Sequence, residues 1–154
     1  MAVSAFPAVV DALVALGRTV VPTGVTVADG MPKPKDPADF LAVGVPSLDD
    51  GGSLFSGESR QTWAEVGGLS RDEEAFVNCL AAARSRDETV KDARDKAYAI
   101  VEAIAGLCRS NPTLGVPSLL WTSHGVTVNP VLLYEAGRGV SYVVEFQVAY
   151  RARI

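Results

Sequence analysis

Three acidic side chains follow one another in the stretch SRDEE, residues 70–74, and they are the first candidates for chemistry in this chain. Asp72, Glu73 and Glu74 could supply paired catalytic carboxylates or oxygen ligands for a metal ion. Paired catalytic carboxylates need a shared cleft and an apolar surrounding that raises one pKa. The adjacent Arg71 and the glycines before it instead indicate solvated loop charges. We therefore predict no catalytic role for this stretch.

The other reactive side chains are few. His124, in WTSHGV, is the only histidine, so it cannot build a metal site with other histidines. Ser123 would point to the opposite face of a strand, which argues against a nucleophile–base pair. We expect a surface histidine at a strand end or turn. Cys79 and Cys108 lack CxxC spacing and have apolar neighbours, which indicates buried free thiols.

The glycine pairs do not form a phosphate-binding loop, because neither VGG nor DDGG has GxxxxGK[ST] or GxGxxG spacing. Asp49 and Asp50 lie in PSLDDGGSLFSGE, residues 46–58, which lacks the spaced oxygen ligands of a calcium loop. We predict a mobile, acidic, glycine- and serine-rich loop there. No cofactor and no metal are expected, and the sequence favours a protein without enzymatic activity.

The composition sets further limits. Apolar residues make up 48% of the 154 residues, charged residues make up 21%, and the net charge is −4. These values are ordinary for a soluble domain, so residues 1–154 are predicted to form one domain. No apolar run approaches the roughly 18 residues that would span a bilayer. Without a basic stripe, specific nucleic-acid binding is not expected.

Two helices are predicted from apolar residues at helical spacing. The first covers residues 5–18, with Ser4 as a cap and Pro7 in the first turn. The second covers residues 87–110, preceded by an S-x-x-E capping box at 85–88. Its apolar stripe should face the sheet, and it comprises Val90, Ala93, Ala97, Ile100, Val101, Ile104 and Leu107.

Seven strands are predicted from alternating patterns and short apolar runs. The strand at 73–84 should be covered on both faces. In the strand at 139–154, one face should lie in the core, and the other should be wetter or in contact with a partner. The predicted strands are 24–29, 40–45, 60–68, 73–84, 118–124, 126–136 and 139–154. The order αββββαβββ predicts an α+β fold, a mainly antiparallel, mixed sheet flanked by an N-terminal helix and one long central helix.

Over nearly the whole chain, this order of features resembles the tail terminator proteins of long-tailed bacteriophages, particularly those that infect actinobacteria. The motifs that carry the resemblance include WAEVGGLSRDEEAFV at 63–77, RDETVKDARDKAYAIVEAIAGL at 86–107 and YVVEFQVAYRARI at 142–154. The resemblance implies a non-enzymatic virion protein that is assembled in the bacterial cytoplasm. Six copies would form a ring on the head-proximal end of the tail tube.

In that role the protein would end polymerisation of the tube and offer a surface for head joining. Its partners would be itself, the tail tube protein and the head–tail connector protein, while DNA would cross the channel without specific binding. We expect the subunit or tube contacts at Asp49, Asp50 and the stretch Arg71, Asp72, Glu73 and Glu74. Reversing the charges of residues 72–74 to lysine should then leave the fold intact while impairing control of tail length or head joining.

Two alternatives remain open from the sequence. Another head–tail connector or neck protein would share the small α+β build and the ring symmetry. A small-ligand-binding α+β domain or a hydrolase would place a pocket beneath the sheet. Trp63 and Trp121 bear on this choice, because tryptophans of this kind are more often core or interface anchors than ligand stackers.

Overall fold

The computed structural model describes residues 3–33, 39–47, 56–86, 89–135 and 139–154, with side chains described outside 124–135. This part of the chain forms two helices and six strands. In chain order they are α1 (Phe6–Val20), β1 (Thr26–Asp29), β2 (Phe40–Val43), β3 (Gly57–Trp63), β4 (Arg71–Ser85), α2 (Val90–Ser110), β5 (Leu119–Glu135) and β6 (Gly139–Arg153). Neither helix in the described ranges is long and apolar enough to cross a membrane.

The strands form one mixed sheet in the order β1-β2-β4-β6-β5. Only β1 and β2 run parallel; the remaining described pairs are antiparallel. The long strand β4 has two partners along one edge, because β2 pairs with residues 79–82 and β3 pairs with residues 71–77. The predicted α+β class, with a mainly antiparallel sheet and two helices, is confirmed.

Both helices cover the same face of the sheet and enclose the main core. Odd-numbered residues of β4, such as Val77 and Cys79, share this core with even-numbered residues of β6, such as Phe146. Even-numbered residues of β4 face the opposite side, which is called the outer face below. A smaller buried cluster lies there and comprises Ala42, Val45, Leu80, Ala82 and Val143. The prediction of two covered faces for residues 73–84 is confirmed over residues 77–83, whereas the outer face is exposed at Glu74 and half-buried at Phe76.

In the first half of β6, the outer face is not the wetter surface that the sequence predicted. Val143 is 7% exposed and Glu145 is 2% exposed. Gln147 donates a hydrogen bond of 3.0 Å to the side-chain oxygen of the buried Asn78 on β4. This half of the outer face is therefore packed, and the accessible part of the face lies toward the other end of the sheet.

The predicted order of nine elements is wrong in its last third. The two strands predicted at 118–124 and 126–136 are one continuous strand in the described residues, β5, from Leu119 to Glu135. It pairs with β6, and the register is irregular between Leu119 and Trp121 and between Thr122 and Val126. His124 and the glycine after it suggested a turn. The backbone there instead continues along β6, so His124 lies within a strand rather than at its end; its side chain is outside the described residues.

Three other boundaries also differ. The strand predicted at 60–68 is β3, which begins at Gly57 and so removes the last residues from the predicted loop at 46–58. The capping box at 85–88 is wrong, because Ser85 ends β4 and α2 begins at Val90. Helix α1 has Ala5 as its N-cap residue, and Ser4 lies one residue earlier.

Candidate interaction surface

The turn between β3 and β4 exposes a group of large apolar side chains. Residues 64–70 form this turn, which is closed by a hydrogen bond of 3.1 Å from the amide of Ala64 to the carbonyl of Ser70. Gly67 has a φ of 84°, a conformation that favours glycine. Trp63 is 67% exposed, Leu69 is 77% exposed, and Val66 is fully exposed. These three residues are called the hairpin patch.

Polar contacts hold the tryptophan of the hairpin patch in place. The Arg71 guanidinium carbon lies 5.9 Å from the Trp63 ring centroid, a cation–π contact. Arg71 also donates a hydrogen bond of 3.0 Å to Gln61, and Gln61 donates one of 2.8 Å to the carbonyl of Val3. Because these contacts restrain Trp63 before any partner arrives, binding there would cost less side-chain entropy.

Glu73 is fully buried beneath the hairpin and anchors the start of α1. Its Oε1 accepts hydrogen bonds from Ser4 Oγ at 2.5 Å and Ser59 Oγ at 2.6 Å, and its Oε2 accepts one from the amide of Ala5 at 2.7 Å. The carboxylate therefore lies at the positive end of the helix dipole, where a negative charge is favourable. This one side chain ties the N-terminal segment, β3 and β4 together.

Close packing at Gly57 holds the same three elements together. A Cβ atom at this position would lie 2.2 Å from the carbonyl oxygen of Phe76 and 2.5 Å from Cε2 of Phe6. Only glycine allows the first residue of β3 to approach both α1 and β4 so closely. The close contact therefore ties this corner of the sheet, where β3 begins, to α1.

Tyr150 of β6 completes this buried corner. Its ring belongs to the main core and is 1% exposed. Burial, and then the negative charge of Glu73, raise the pKa of the Tyr150 phenol above its ordinary value. The phenol therefore stays protonated and neutral at physiological pH, and the corner holds one carboxylate rather than two competing anions.

Asp72 forms an ion cluster on the outer face at the same end of the sheet. Arg151 Nη2 and Arg153 Nε each donate a hydrogen bond of 2.8 Å to its two carboxylate oxygens. The Asp72 side chain is only 11% exposed. These hydrogen bonds, first from Arg153 and then from Arg151, lower the pKa of Asp72 from 3.8 to about 2. The cluster thus joins the beginning of β4 to the end of β6.

Replacing Asp72 by asparagine is expected to destabilise the fold in a pH-dependent way. Because the pKa of Asp72 is lower in the folded chain, its contribution is fully present above pH 3.8 and is lost as the pH falls through about 2. Urea unfolding of both proteins should show a constant stability difference near neutral pH and a shrinking one between those values. The exposed Glu74→Gln is the control. A pH-independent difference would contradict the prediction.

A shallow depression of about 400 Å³ lies on the outer face beyond the ion cluster. Phe76 of β4 and Ala149 of β6 are direct register partners and form its floor. Trp121 of β5, 43% exposed, borders one side. Glu58 and Arg60 of β3 border the other. The depression exists because the small Ala149 lies between larger aromatic neighbours, and it offers an apolar floor with a charged rim.

The residues predicted to contact partners do not share one environment. Asp49 and Asp50 lie outside the described residues. Arg71 is half-buried beside Trp63, and Glu74 is exposed. Asp72 and Glu73 are buried, so describing them as solvated loop charges was wrong. The residue types were consistent with a loop, but pairing of β4 with both β3 and β6 places them inside the sheet.

The burial of Glu73 and Asp72 also contradicts the expectation that lysine at residues 72–74 would spare the fold. A lysine at position 73 would bring a positive charge to the N-terminus of α1 and remove the acceptor for three hydrogen bonds. A lysine at position 72 would face two arginines. Of the three positions, only Glu74 is exposed, and its reversal would remove a longer contact with Arg151, 3.9 Å between the charged atoms.

The two cysteines are free and buried, as predicted. Burial raises the pKa of the Cys79 thiol to about 12, and burial also raises the pKa of Cys108. Both therefore remain thiols at neutral pH, and thiols are poor nucleophiles. Among the residues with described side chains, no group of three or more histidine, cysteine or acidic side chains could hold a metal ion.

Sequence reasoning missed the hairpin patch as a surface. Trp63 was interpreted as a core or interface anchor, but Val66 and Leu69 were not singled out. The available signal was an apolar residue on each side of the glycine pair, because paired glycines favour a turn that exposes its neighbours. Comparison with protein-family models gave no match, and comparison with curated proteins gave none either.

Proposed function

We propose that the protein is a non-enzymatic virion protein that forms a hexameric ring on the head-proximal end of a bacteriophage tail tube. The ring ends polymerisation of the tube and offers a surface for the head–tail connector. It assembles in the bacterial cytoplasm, and DNA crosses its channel without specific binding. The proposal starts from the resemblance of the sequence to tail terminators.

The observation that carries the proposal is the hairpin patch. Monomeric soluble proteins rarely expose several large apolar side chains together without a binding role. Tryptophan and arginine, here Trp63 and Arg71, are also the residue types that most often dominate binding energy at protein interfaces. An exposed apolar patch at the end of the sheet, with its tryptophan already held in place, therefore favours a function that depends on binding other proteins.

The charge of the chain supports a channel role. Its net charge is −4, and its isoelectric point is about 4.9. Like charge disfavours binding of the DNA backbone, so a ring of acidic subunits would let DNA pass without holding it.

The decisive experiment is a nonsense mutation in the gene that encodes this chain, in its own phage. We expect tail tubes of irregular, extended length and heads that lack tails, measured by negative-stain microscopy of lysates. Supplying the wild-type chain from a plasmid should restore uniform tails, and an epitope-labelled copy should be seen at the head-proximal end. Uniform tails in the mutant, or labelling elsewhere in the particle, would contradict the proposal.

The same images separate the alternatives. A connector or neck protein would leave tails of normal length that fail to join heads, with the label on the head vertex. A ligand-binding domain or hydrolase would leave particle morphology unchanged. Only the loss of length control together with the label at the end of the tube supports a tail terminator.

A further inference from the structure

We propose that the segment Val3–Ala5 is a conformational switch for the hairpin patch. When the segment is docked on Glu73, a relay of polar contacts holds Trp63 in place, and when the segment detaches, the tryptophan is released. The proposal rests on the proposed function only for its use, because the hairpin patch is the surface that we assign to partner binding. The relay itself is a property of the single chain.

The buried carboxylate of Glu73 is the docking site of the segment. Ser4 Oγ and the amide of Ala5 both donate hydrogen bonds to it. Val3 comes directly before them and is 80% exposed, so burial of its own side chain holds it little. The Val3 carbonyl belongs to the same planar peptide group as the amide of Ser4. Its position therefore depends on the hydrogen bonds to Glu73.

The Val3 carbonyl is the first acceptor in a series of contacts that ends at Trp63. Gln61 Nε2 donates a hydrogen bond of 2.8 Å to this carbonyl. The oxygen of the same side-chain amide accepts one of 3.0 Å from Arg71 Nη1. The Arg71 guanidinium carbon in turn lies 5.9 Å from the Trp63 ring centroid. The Val3 carbonyl thus fixes the orientation in which Gln61 presents its oxygen to Arg71.

The pairing of β3 with β4 places these contacts side by side. Gln61 is the register partner of Glu73, and Trp63 is the register partner of Arg71. Register partners share a face of the sheet, and so does every second residue along a strand. All four side chains therefore lie on the face that carries the helices, where the segment before α1 can reach them.

The contacts of the relay are weak enough to be reversible. The hydrogen bond from Gln61 to Val3 is exposed, and the one from Arg71 to Gln61 is partly buried. Water can replace either partner in such positions, so one of these bonds shifts a local equilibrium by about fivefold rather than fixing it. Trp63 is 67% exposed, so packing alone restrains its ring little.

The coupling between segment and patch acts in both directions. A docked segment restrains Trp63, and a partner that binds the restrained ring stabilises docking of the segment by the same factor. With the segment detached from Glu73, the ring is mobile, and a partner must order it on binding, which lowers the affinity. The chain can thereby weaken its partner surface without altering the sheet.

The motion of Trp63 in the free chain tests the relay. Trp121→Phe leaves Trp63 as the only tryptophan, and the decay of its fluorescence anisotropy reports the motion of the ring. Ser4→Ala should raise the freely moving population about fivefold, the factor that one ordinary hydrogen bond supplies. Ser59→Ala is the matched control, because it removes a bond to the same oxygen of Glu73 without touching the segment. Equal effects of the two variants would overturn the proposal.

A double-mutant cycle tests whether the effect passes through Gln61. Gln61→Val removes the middle of the relay and introduces a residue that favours a strand. Adding Ser4→Ala to this chain should cause no further change in the motion of Trp63, because coupled positions are not additive. An undiminished effect would overturn the relay. Where Ser4→Ala does not fold, Glu73→Gln takes its place with the same expectations.

Complementation of the nonsense mutant tests the use of the switch. Plasmid-borne Gln61→Val should give a phage titre at least about fivefold below that of Thr62→Val, in proportion to the lost restraint. Thr62 is exposed on the opposite face of β3, outside the relay. Equal titres would overturn the role in partner binding. A relay in a chain that is absent from the tail end would leave the switch standing and remove the tail-terminator function; a tail terminator without the relay would remove only the switch.

Discussion

Replacing Glu73 by alanine is expected to lower the free energy of unfolding by roughly 3 kcal/mol, because three hydrogen bonds to a charged acceptor are lost and the buried amide of Ala5 is left without its partner. Three donors depend on this carboxylate: the hydroxyls of Ser4 and Ser59 and the amide of Ala5. The amide cannot turn to find another partner, because the helix that follows fixes its direction. Urea unfolding followed by circular dichroism measures the change.

The adjacent residue provides a matched control for this prediction. Glu74 has the same side chain on the same strand, but it faces solvent, so Glu74→Ala should change the stability by less than about 0.5 kcal/mol. Glu73→Gln, which keeps one acceptor oxygen and loses the charge, should fall between the two. If the alanine variants at positions 73 and 74 unfolded at the same urea concentration, the anchoring role of Glu73 would be refuted.

Replacing Ile104 by alanine is expected to cost roughly 2–4 kcal/mol, the range observed when a large core side chain is truncated and leaves a cavity. Ile104 is 1% exposed. Its Cδ1 atom reaches the surface of α1 at Gly17, where Leu41 of β2 also packs. The side chain thus joins both helices and the sheet, and neighbouring groups cannot easily move to fill its space.

A second position on the same helix tests whether this loss comes from the core. Glu102 is 80% exposed and lies near Arg109, at 3.6 Å between charged atoms. Glu102→Ala should therefore change the stability by less than about 0.5 kcal/mol, as expected for an exposed residue. A loss below that value for Ile104→Ala would mean that the helix packs in a different register from the one described.

The parts of the fold that were predicted correctly depend on local patterns. The apolar stripe of α2 recurs at helical spacing, and Ala97, Ile104, Val144 and Phe146 lie in one buried cluster, as expected. The alternation of apolar residues along β6 likewise predicted which face of the strand lies in the core. Such patterns need no knowledge of distant partners, because the period of the element alone decides which side chains share a face.

The parts that were missed depend on contacts between distant residues. The burial of Glu73 requires Ser4 and Ala5, which lie 69 and 68 positions away in the chain. A charged residue at the start of a strand has no local feature that shows such partners. The continuous β5 was missed for a similar reason: pairing with β6 carries the strand through a local sequence typical of a turn.

The pairing of β4 has a consequence for the order in which the chain can fold during synthesis. β4 pairs with β6 over almost its whole length, yet residues 86–138 separate them. While the ribosome is still adding those residues, one long edge of β4 has no partner, and its apolar side chains have only part of their final cover. Such exposed edges invite association between unfinished chains. Pairings between distant segments are also slow to form. We infer that β2 and β3 protect the other edge of β4 early, and that the sheet closes only after β6 has been translated.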